Sequence, residues 1–326
     1  MSEKLQLRQE EERLLRELGK KVELGFNLMN QAGQLLSQNS PQPALEKLRE
    51  AEALFREEKS PVPVERALRA QVQLLERLND PAKVLSALQK LEAHHREAGD
   101  DDDDLAECLS KQVMVLADMG DRRKEVDVIK RLLPVLQRQG NKRSIANFCG
   151  AAASALIELN EDLDAAVDMA YQCELVCREL GDLSGIAQAL STKALALAGV
   201  KRLREALVAC TTSIRIAKEK GIADLVENNQ LMLEPLLREQ FLAAYKTLFA
   251  DAAIGMGLVA RDPEQVKETW AELADASTLS GDPEVRKSIA KINSSVAQLL
   301  EACLALTPDE RAALRTHLSS SGKPTG

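Results

Sequence analysis

The residues best suited to metal chemistry in this sequence are two adjacent histidines and an acidic run. His94 and His95 are followed closely by Asp100 to Asp104. Neighbouring residues on a helix point about 100° apart, so the two imidazoles cannot hold one ion as an i, i+4 pair does. The acidic run is better explained as a solvated loop that caps the next helix, since carboxylates are stabilised at a helix N-terminus. We therefore expect no metal site and no cofactor.

Cysteine chemistry is the second candidate. Cys173 and Cys177 are one helical turn apart, a spacing that would suit redox or zinc chemistry, but Cys177 matches Ala217 one repeat later, and buried structural cysteine is the favoured interpretation. All six cysteines fall in predicted helices, which indicates a reducing compartment. Neither a glycine-rich phosphate loop nor a nucleophile elbow nor a catalytic triad spacing is present. We expect no catalytic residues, so the chain is not predicted to be an enzyme.

Composition narrows the class of protein further. Aromatic residues make up 2% of the chain and hydrophobic residues 45%, so the core must consist of Leu, Ala, Val and Ile, a mixture that favours helix. The net charge of -8 is spread over mixed acidic and basic residues and argues against nucleic acid as a partner. No apolar run approaches the ~18 residues of a membrane span, and the charged N-terminus is unlike a signal peptide. A cytoplasmic protein with no membrane contact is expected.

Turn-like breaks recur about every twenty residues in the middle of the chain. Two breaks make a repeat of about forty residues, the signature of stacked helical hairpins. The breaks are Asn79-Asp80-Pro81, Gly99-Asp100, Gly120-Asp121, Gly140-Asn141, Asn160-Glu161, Gly181-Asp182, Gly199 and Gly221.

Small residues recur within this repeat. Pairs seven apart on the second helices are Ala44 and Ala51, Ala166 and Cys173, and Ala206 and Ser213; twelve residues before each pair stand Ala32, Ser154 and Ala194 on the first helices. This pattern resembles tetratricopeptide repeats of the longer-helix, forty-residue variety. The resemblance implies an all-α, right-handed alpha-alpha superhelix, a TPR-like solenoid with a C-terminal helical cap. Two hairpins depart from it with larger residues, which should push helices apart: Val72, Val84 and Leu91, then Met114, Val126 and Leu133.

The predicted domains are an N-terminal helix at 1–24, helical hairpin repeats at 25–240, a helical cap at 241–318 and a disordered tail at 319–326. Residues 3 to 37 form one long predicted helix with a weak point at Gly25 and Gly33. Its stripe of Leu7, Leu14, Leu15, Leu18 and Val22 either caps the solenoid or pairs with a second copy as a homodimer. Pro235 is expected to kink or end a helix. Thr307, Pro308 and Glu310 form a predicted N-terminal capping box.

The resemblance also implies that positions two, five, nine and twelve of each first helix line a concave groove. On this sequence those residues are Arg66, Arg69, Gln73 and Glu76; Cys108, Lys111, Val115 and Asp118; Phe148, Ala151, Ala155 and Glu158; and Gln188, Ser191, Leu195 and Ala198. Asn147, Asn228 and Asn229 stand near the starts of their helices, facing or beside this groove. The predicted partner-binding set is Arg66, Arg69, Gln73, Lys111, Asn147, Phe148, Gln188, Asn228 and Asn229.

These residues predict a function in protein recognition. Arg66, Arg69 and Lys111 would form a basic patch suited to an acidic segment or a free C-terminal carboxylate. The asparagine amides can donate to and accept from a peptide backbone. The sequence therefore predicts a non-enzymatic adaptor or scaffold that binds a peptide or helical segment of another protein. The alternative is a peptide-sensing regulatory protein that switches an effector.

Overall fold

The computed structural model describes residues 3–99, 102–249 and 263–321, and those residues form α-helices and short connections without any strand. In chain order the helices are α1 (Glu3–Glu17), α2 (Lys21–Ser37), α3 (Pro41–Glu57), α4 (Pro61–Arg77), α5 (Pro81–Ala98), α6 (Asp102–Met119), α7 (Arg122–Gln139), α8 (Lys142–Leu159), α9 (Leu163–Leu180), α10 (Leu183–Gly199), α11 (Leu203–Lys220), α12 (Ala223–Phe249), α13 (Pro263–Ser277), α14 (Pro283–Ala305) and α15 (Pro308–Ser321). We call α2, α4, α6, α8, α10 and α12 first helices, and α3, α5, α7, α9 and α11 second helices. The prediction of an all-helical tandem array is confirmed.

The chain forms two compact units, Met1–Phe148 and Cys149–Gly326. Within the first, the helices α1 to α7 pack consecutively, ending with the contact of α6 and α7. Within the second, α9 to α12 pack in the same consecutive manner, and α13 contacts α11 and α12. Trp270 on α13 is buried, which anchors this helix to its unit. No helix in the described ranges is long and apolar enough to cross a membrane.

Helices end where a residue adopts a left-handed conformation. These residues are Gly19, Asn39, Lys59, Asn79, Gly99, Gly120, Gly140, Asn160, Gly181, Lys201 and Gly221. Glycine and asparagine adopt positive φ at low cost, which is why the predicted breaks are correct at most positions. Two breaks lie at other residues than predicted. The N-terminal break lies at Gly19 rather than at Gly25 or Gly33, and the break predicted at Gly199 lies at Lys201. Pro235 does not end α12, since the helix continues through it to Phe249.

Capping side chains fix several helix starts. The Asp80 carboxylate accepts from the Lys83 backbone N–H at 3.1 Å. At α15 the Thr307 N–H donates to Glu310 Oε2 at 2.8 Å, and the Glu310 N–H donates to Thr307 Oγ1 at 3.3 Å. The predicted capping box is therefore confirmed, because both orphan donors are satisfied reciprocally.

The predicted small packing residues are buried, with one exception. Ser154 is exposed, and its neighbour Ala153 is 0% exposed. In the preceding hairpin Met114 is 65% exposed, whereas Val113 is buried. The first-helix prediction in these two hairpins was therefore wrong by one residue.

The cause is an extra residue after the turn. In all five hairpins the packed first-helix residue stands seven positions before the left-handed residue: Ala32 and Asn39, Val72 and Asn79, Val113 and Gly120, Ala153 and Asn160, Ala194 and Lys201. In three hairpins the packed second-helix residue stands five positions after the left-handed residue: Ala44 after Asn39, Val84 after Asn79 and Ala206 after Lys201. In the other two hairpins this separation is six positions, from Gly120 to Val126 and from Asn160 to Ala166. Counting back from the second helix therefore fails in these two hairpins.

A buried carboxylate recurs between successive hairpins. The Gln31, Gln71 and Gln112 amides each donate at 2.8 Å to a glutamate on the preceding helix, Glu12, Glu52 and Glu92. In the second unit Lys193 Nζ donates to Glu174 at 3.0 Å. An arginine four residues after each glutamate pairs with it: Arg16, Arg56, Arg96 and Arg178. These pairs satisfy charges that would otherwise be costly to bury.

The apolar stripe of α1 is divided between two environments. Leu15 packs against the core of the first unit, and so does Val22, which lies on α2. Leu7, Leu14 and Leu18 are exposed. The homodimer through this helix stays a prediction.

Candidate partner-binding faces on the first helices

With the register corrected, each first helix presents an exposed face at equivalent positions. Position two, six residues before the packed residue, is exposed in every case; its occupants are Phe26, Arg66, Glu107, Asn147, Gln188 and, forty residues further on, Asn228. Position nine, directly after the packed residue, is also exposed throughout; its occupants are Gly33, Gln73, Met114, Ser154, Leu195 and, forty residues further on, Pro235. Asn147 thus belongs to this face at position two.

The face shared by α4 and α6 carries mixed charge, so the prediction of a basic patch was wrong. Arg69 Nε donates to Glu65 Oε1 at 2.6 Å, and its guanidinium also pairs with Asp104 and Glu107. Burial would lower the pKa of Arg69, but these carboxylates outweigh it and raise the pKa. Lys111 pairs with Glu107 at 2.9 Å. Among the described residues Arg66 makes no ion pair, and it is the predicted cation that stays exposed and uncompensated.

A small cleft of about 80 Å³ lies between these two helices. Its floor is apolar and its rim polar; the lining residues are Val72, Leu88, Leu91 and Cys108 below and Arg69, Gln73, Glu107 and Lys111 above. Val72 and Leu91 are two of the large residues expected to hold helices apart. Cys108 was predicted to face the groove, but it is 2% exposed and its thiol donates to the Leu88 carbonyl at 3.2 Å. Burial raises the pKa of Cys108 to about 11, so this cysteine stays a thiol.

The face shared by α10 and α12 combines amides with exposed leucines. Gln188 and Asn228 are exposed at position two of the two helices. Leu195 is 47% exposed on the side of α10 that carries Gln188, and Leu231 is 66% exposed on the side of α12 that carries Asn228. We call these four residues the amide–leucine face.

Asn229 does not belong to that face. It is 0% exposed: Ser191 Oγ donates to Asn229 Oδ1 at 2.6 Å, and Asn229 Nδ2 donates to Ser213 Oγ at 2.8 Å. Its amide therefore joins α10, α11 and α12 instead of capturing a partner's backbone. On α8, Phe148 is half-buried and Ala155 is buried, so the one-residue register error also displaced these two predictions.

The other described cysteines are buried and free. Burial raises the pKa of Cys173 to about 12 and also raises that of Cys177. Both thiols are thus protonated at neutral pH. The interpretation of these residues as structural agrees with their burial.

No protein-family model matches this chain, and no curated protein does either. Solved structures with a similar course include a tetratricopeptide repeat protein from Parabacteroides merdae, 13% identical over 83% of this chain and 98% of that one, with a TM-score of 0.38. Another is the apo form of RapI, 12% identical over 85% of this chain and 99% of that one, with a TM-score of 0.41. BtubC from P. vanneervenii is 12% identical over 83% and 92% of the two chains, with a TM-score of 0.40.

Likeness of this degree carries no conclusion about function. The architecture rests on the chain itself: α2 to α11 have nearly one length, are separated by left-handed residues and pack consecutively within each unit. That is the architecture of a tetratricopeptide-like helical repeat.

Proposed function

We propose that this protein is a non-enzymatic adaptor that binds a helical or extended segment of a partner protein on its first-helix faces. The observation that carries the proposal is the amide–leucine face. There Leu195 and Leu231 are exposed on neighbouring first helices, beside the amides of Gln188 and Asn228. Apolar anchors flanked by polar groups are the usual composition of a recognition surface.

The chemistry of this face defines the partner. Burying a fully exposed leucine contributes about 1.5–3 kcal/mol, so covering the exposed parts of Leu195 and Leu231 contributes a fraction of that amount at each residue. Each amide hydrogen bond adds about 0.5–1.5 kcal/mol and also orients the segment. The partner segment therefore needs two apolar side chains and free backbone or polar groups between them. On the separate α4–α6 face of the first unit, Arg66 is the cation left to pair with an acidic group, since Arg69 and Lys111 already have carboxylate partners.

The experiment compares substitutions on two sides of the second unit. Leu195→Glu and Leu231→Glu place a charge on the amide–leucine face, whereas Val208→Glu does so at an exposed residue of α11, outside that face. A photo-crosslinking residue at position 188 identifies the partner, and calorimetry with the purified partner gives the affinity. We expect each leucine variant to weaken binding at least tenfold and Val208→Glu to change it less than twofold. Equal affinities for all three variants would refute the assignment of this face.

A further inference from the structure

Three helices of the first unit bring a histidine and two carboxylates together. Glu65 lies in the first half of α4, His95 near the end of α5 and Asp104 in the first turn of α6. One potential ligand atom from each of these residues lies within 4.8 Å of the other two. His95 is 2% exposed, whereas the other two side chains are partly open to solvent.

The donor set suits a first-row divalent ion. Zn²⁺ binds imidazole nitrogen and carboxylate oxygen at about 2.0–2.2 Å, and three protein ligands leave a further position for water. The donor atoms lie up to 4.8 Å apart, so they must approach one another by roughly 1–1.5 Å to reach this geometry. The two carboxylate side chains can make that adjustment because they are partly exposed. Their exposure also gives an ion a path to the buried imidazole.

Arg69 positions both carboxylates. Its Nε donates to Oε1 of Glu65 at 2.6 Å and its Nη2 to Oδ1 of Asp104. Arg69 donates to one oxygen of each carboxylate in this way. It makes no hydrogen bond to the other oxygen, Oε2 of Glu65 or Oδ2 of Asp104, and these two could bind a cation. Hydrogen bonds of this kind orient metal-binding carboxylates in proteins. The positive charge of Arg69 opposes a dication, so the affinity should be below that of a structural four-ligand zinc site.

We propose that Glu65, His95 and Asp104 bind one divalent transition-metal ion, represented by Zn²⁺, and thereby link α4, α5 and α6. The ion would lie beside Arg69 at the edge of the α4–α6 face. This site is independent of the amide–leucine face, which belongs to the other unit. Failure of one proposal therefore leaves the other standing.

Metal titration of the full chain tests the proposal. After treatment with EDTA and its removal, calorimetry with ZnCl₂ at pH 7 should show one saturable ion per chain, and Co²⁺ should give visible absorption bands. Asp104→Asn keeps the shape of the side chain and should weaken Zn²⁺ binding at least tenfold. Asp103→Asn is the matched control, because Asp103 lies in the same turn and its carboxylate accepts from Gln139 instead. This variant should bind Zn²⁺ within twofold of the wild type.

Two further variants separate ligation from loss of fold. Glu65→Gln should weaken Zn²⁺ binding as Asp104→Asn does, whereas Glu107→Gln, which also removes a carboxylate partner of Arg69, should not. Circular dichroism confirms that each variant is folded. The absence of saturable Zn²⁺ binding would overturn the proposal, and so would equal losses in Asp103→Asn and Asp104→Asn. Equally tight binding of Mg²⁺ would also overturn it, since that result indicates an acidic surface without imidazole ligation.

Discussion

At the scale of single residues, two glycines of α2 give opposite predictions. A Cβ at Gly25 would lie 2.5 Å from Cε1 of Phe55, a fully buried ring held against Phe26 with centroids 5.1 Å apart. A Cβ at Gly33 would meet nothing within 4 Å. We expect Gly25→Ala to lower the free energy of unfolding by about 1–3 kcal/mol through overpacking. Gly33→Ala should raise it by about 0.5–1 kcal/mol, because alanine favours helix.

Urea denaturation of both variants measures these changes. A stabilised Gly25→Ala variant would show that the Phe55 ring moves aside freely, contrary to its close packing. The two glycines were indistinguishable in the sequence as weak points of one helix. Only the aromatic ring, thirty residues further along the chain, separates them.

Residue roles set by near neighbours were predictable, and those set by distant ones were not. The caps at Asp80 and Thr307 depend on residues three positions away, so their pattern is complete in the sequence. Arg69 looked like a free cation because its partners on α6 stand 35 and 38 residues later. Asn229 looked available for the same reason, since Ser191 precedes it by 38 residues. Helix packing, which places such residues side by side, decides their role.

At the scale of the helix, α1 carries the same motif as the second helices. Glu12 with Arg16 stands forty residues before Glu52 with Arg56, and each glutamate accepts from a glutamine on the following first helix. The pattern of Glu, Arg four residues later and Gln about nineteen residues later is complete in the sequence. It would have placed α1 inside the repeat rather than before it.

This arrangement predicts a pH-dependent attachment of α1. Burial alone would raise the pKa of Glu12, but hydrogen bonds from Lys47, Arg16 and Gln31 outweigh it and lower the pKa from 4.5 to about 2. A lowered pKa in the folded state contributes stability above pH 4.5, and this contribution is lost as the pH falls from 4.5 towards 2. Hydrogen bonds to a charged group contribute about 1.5–3 kcal/mol, so Glu12→Gln should cost about 1–2 kcal/mol at pH 7.

Urea denaturation of wild type and Glu12→Gln from pH 7 to pH 2.5 checks this prediction. The difference between the two proteins should be constant above pH 5 and shrink below pH 4.5. Glu10→Gln serves as the control, because Glu10 is 59% exposed and pairs only with an exposed arginine in the described structure; its cost should stay within about 0.5 kcal/mol. A Glu12→Gln cost that did not change with pH would contradict the role of the charge.

At the scale of the whole chain, the period of the repeat was predictable but its register was not. Breaks every twenty residues are made by glycine and asparagine, whose backbone preferences are local. The packed residue of the second helix stands five or six positions after the left-handed residue, and the number depends on the backbone conformation of the turn. The sequence alone does not display that difference. One extra residue rotates a helix by about 100°, which is why Cys108, Phe148 and Ala155 were assigned to the wrong face.

The register of α8 gives a direct test of this account. Ala153 is 0% exposed and fills the close-packed position, whereas Ser154, which the twelve-residue count placed there, is exposed. A leucine at position 153 must displace its neighbours, so Ala153→Leu should lower the free energy of unfolding by about 1–3 kcal/mol or more. Ser154→Leu adds the same apolar side chain one residue later and should change stability by less than about 0.5 kcal/mol. Urea denaturation of the pair decides between the registers, because a larger cost at position 154 would restore the twelve-residue count and return Phe148 to the exposed face.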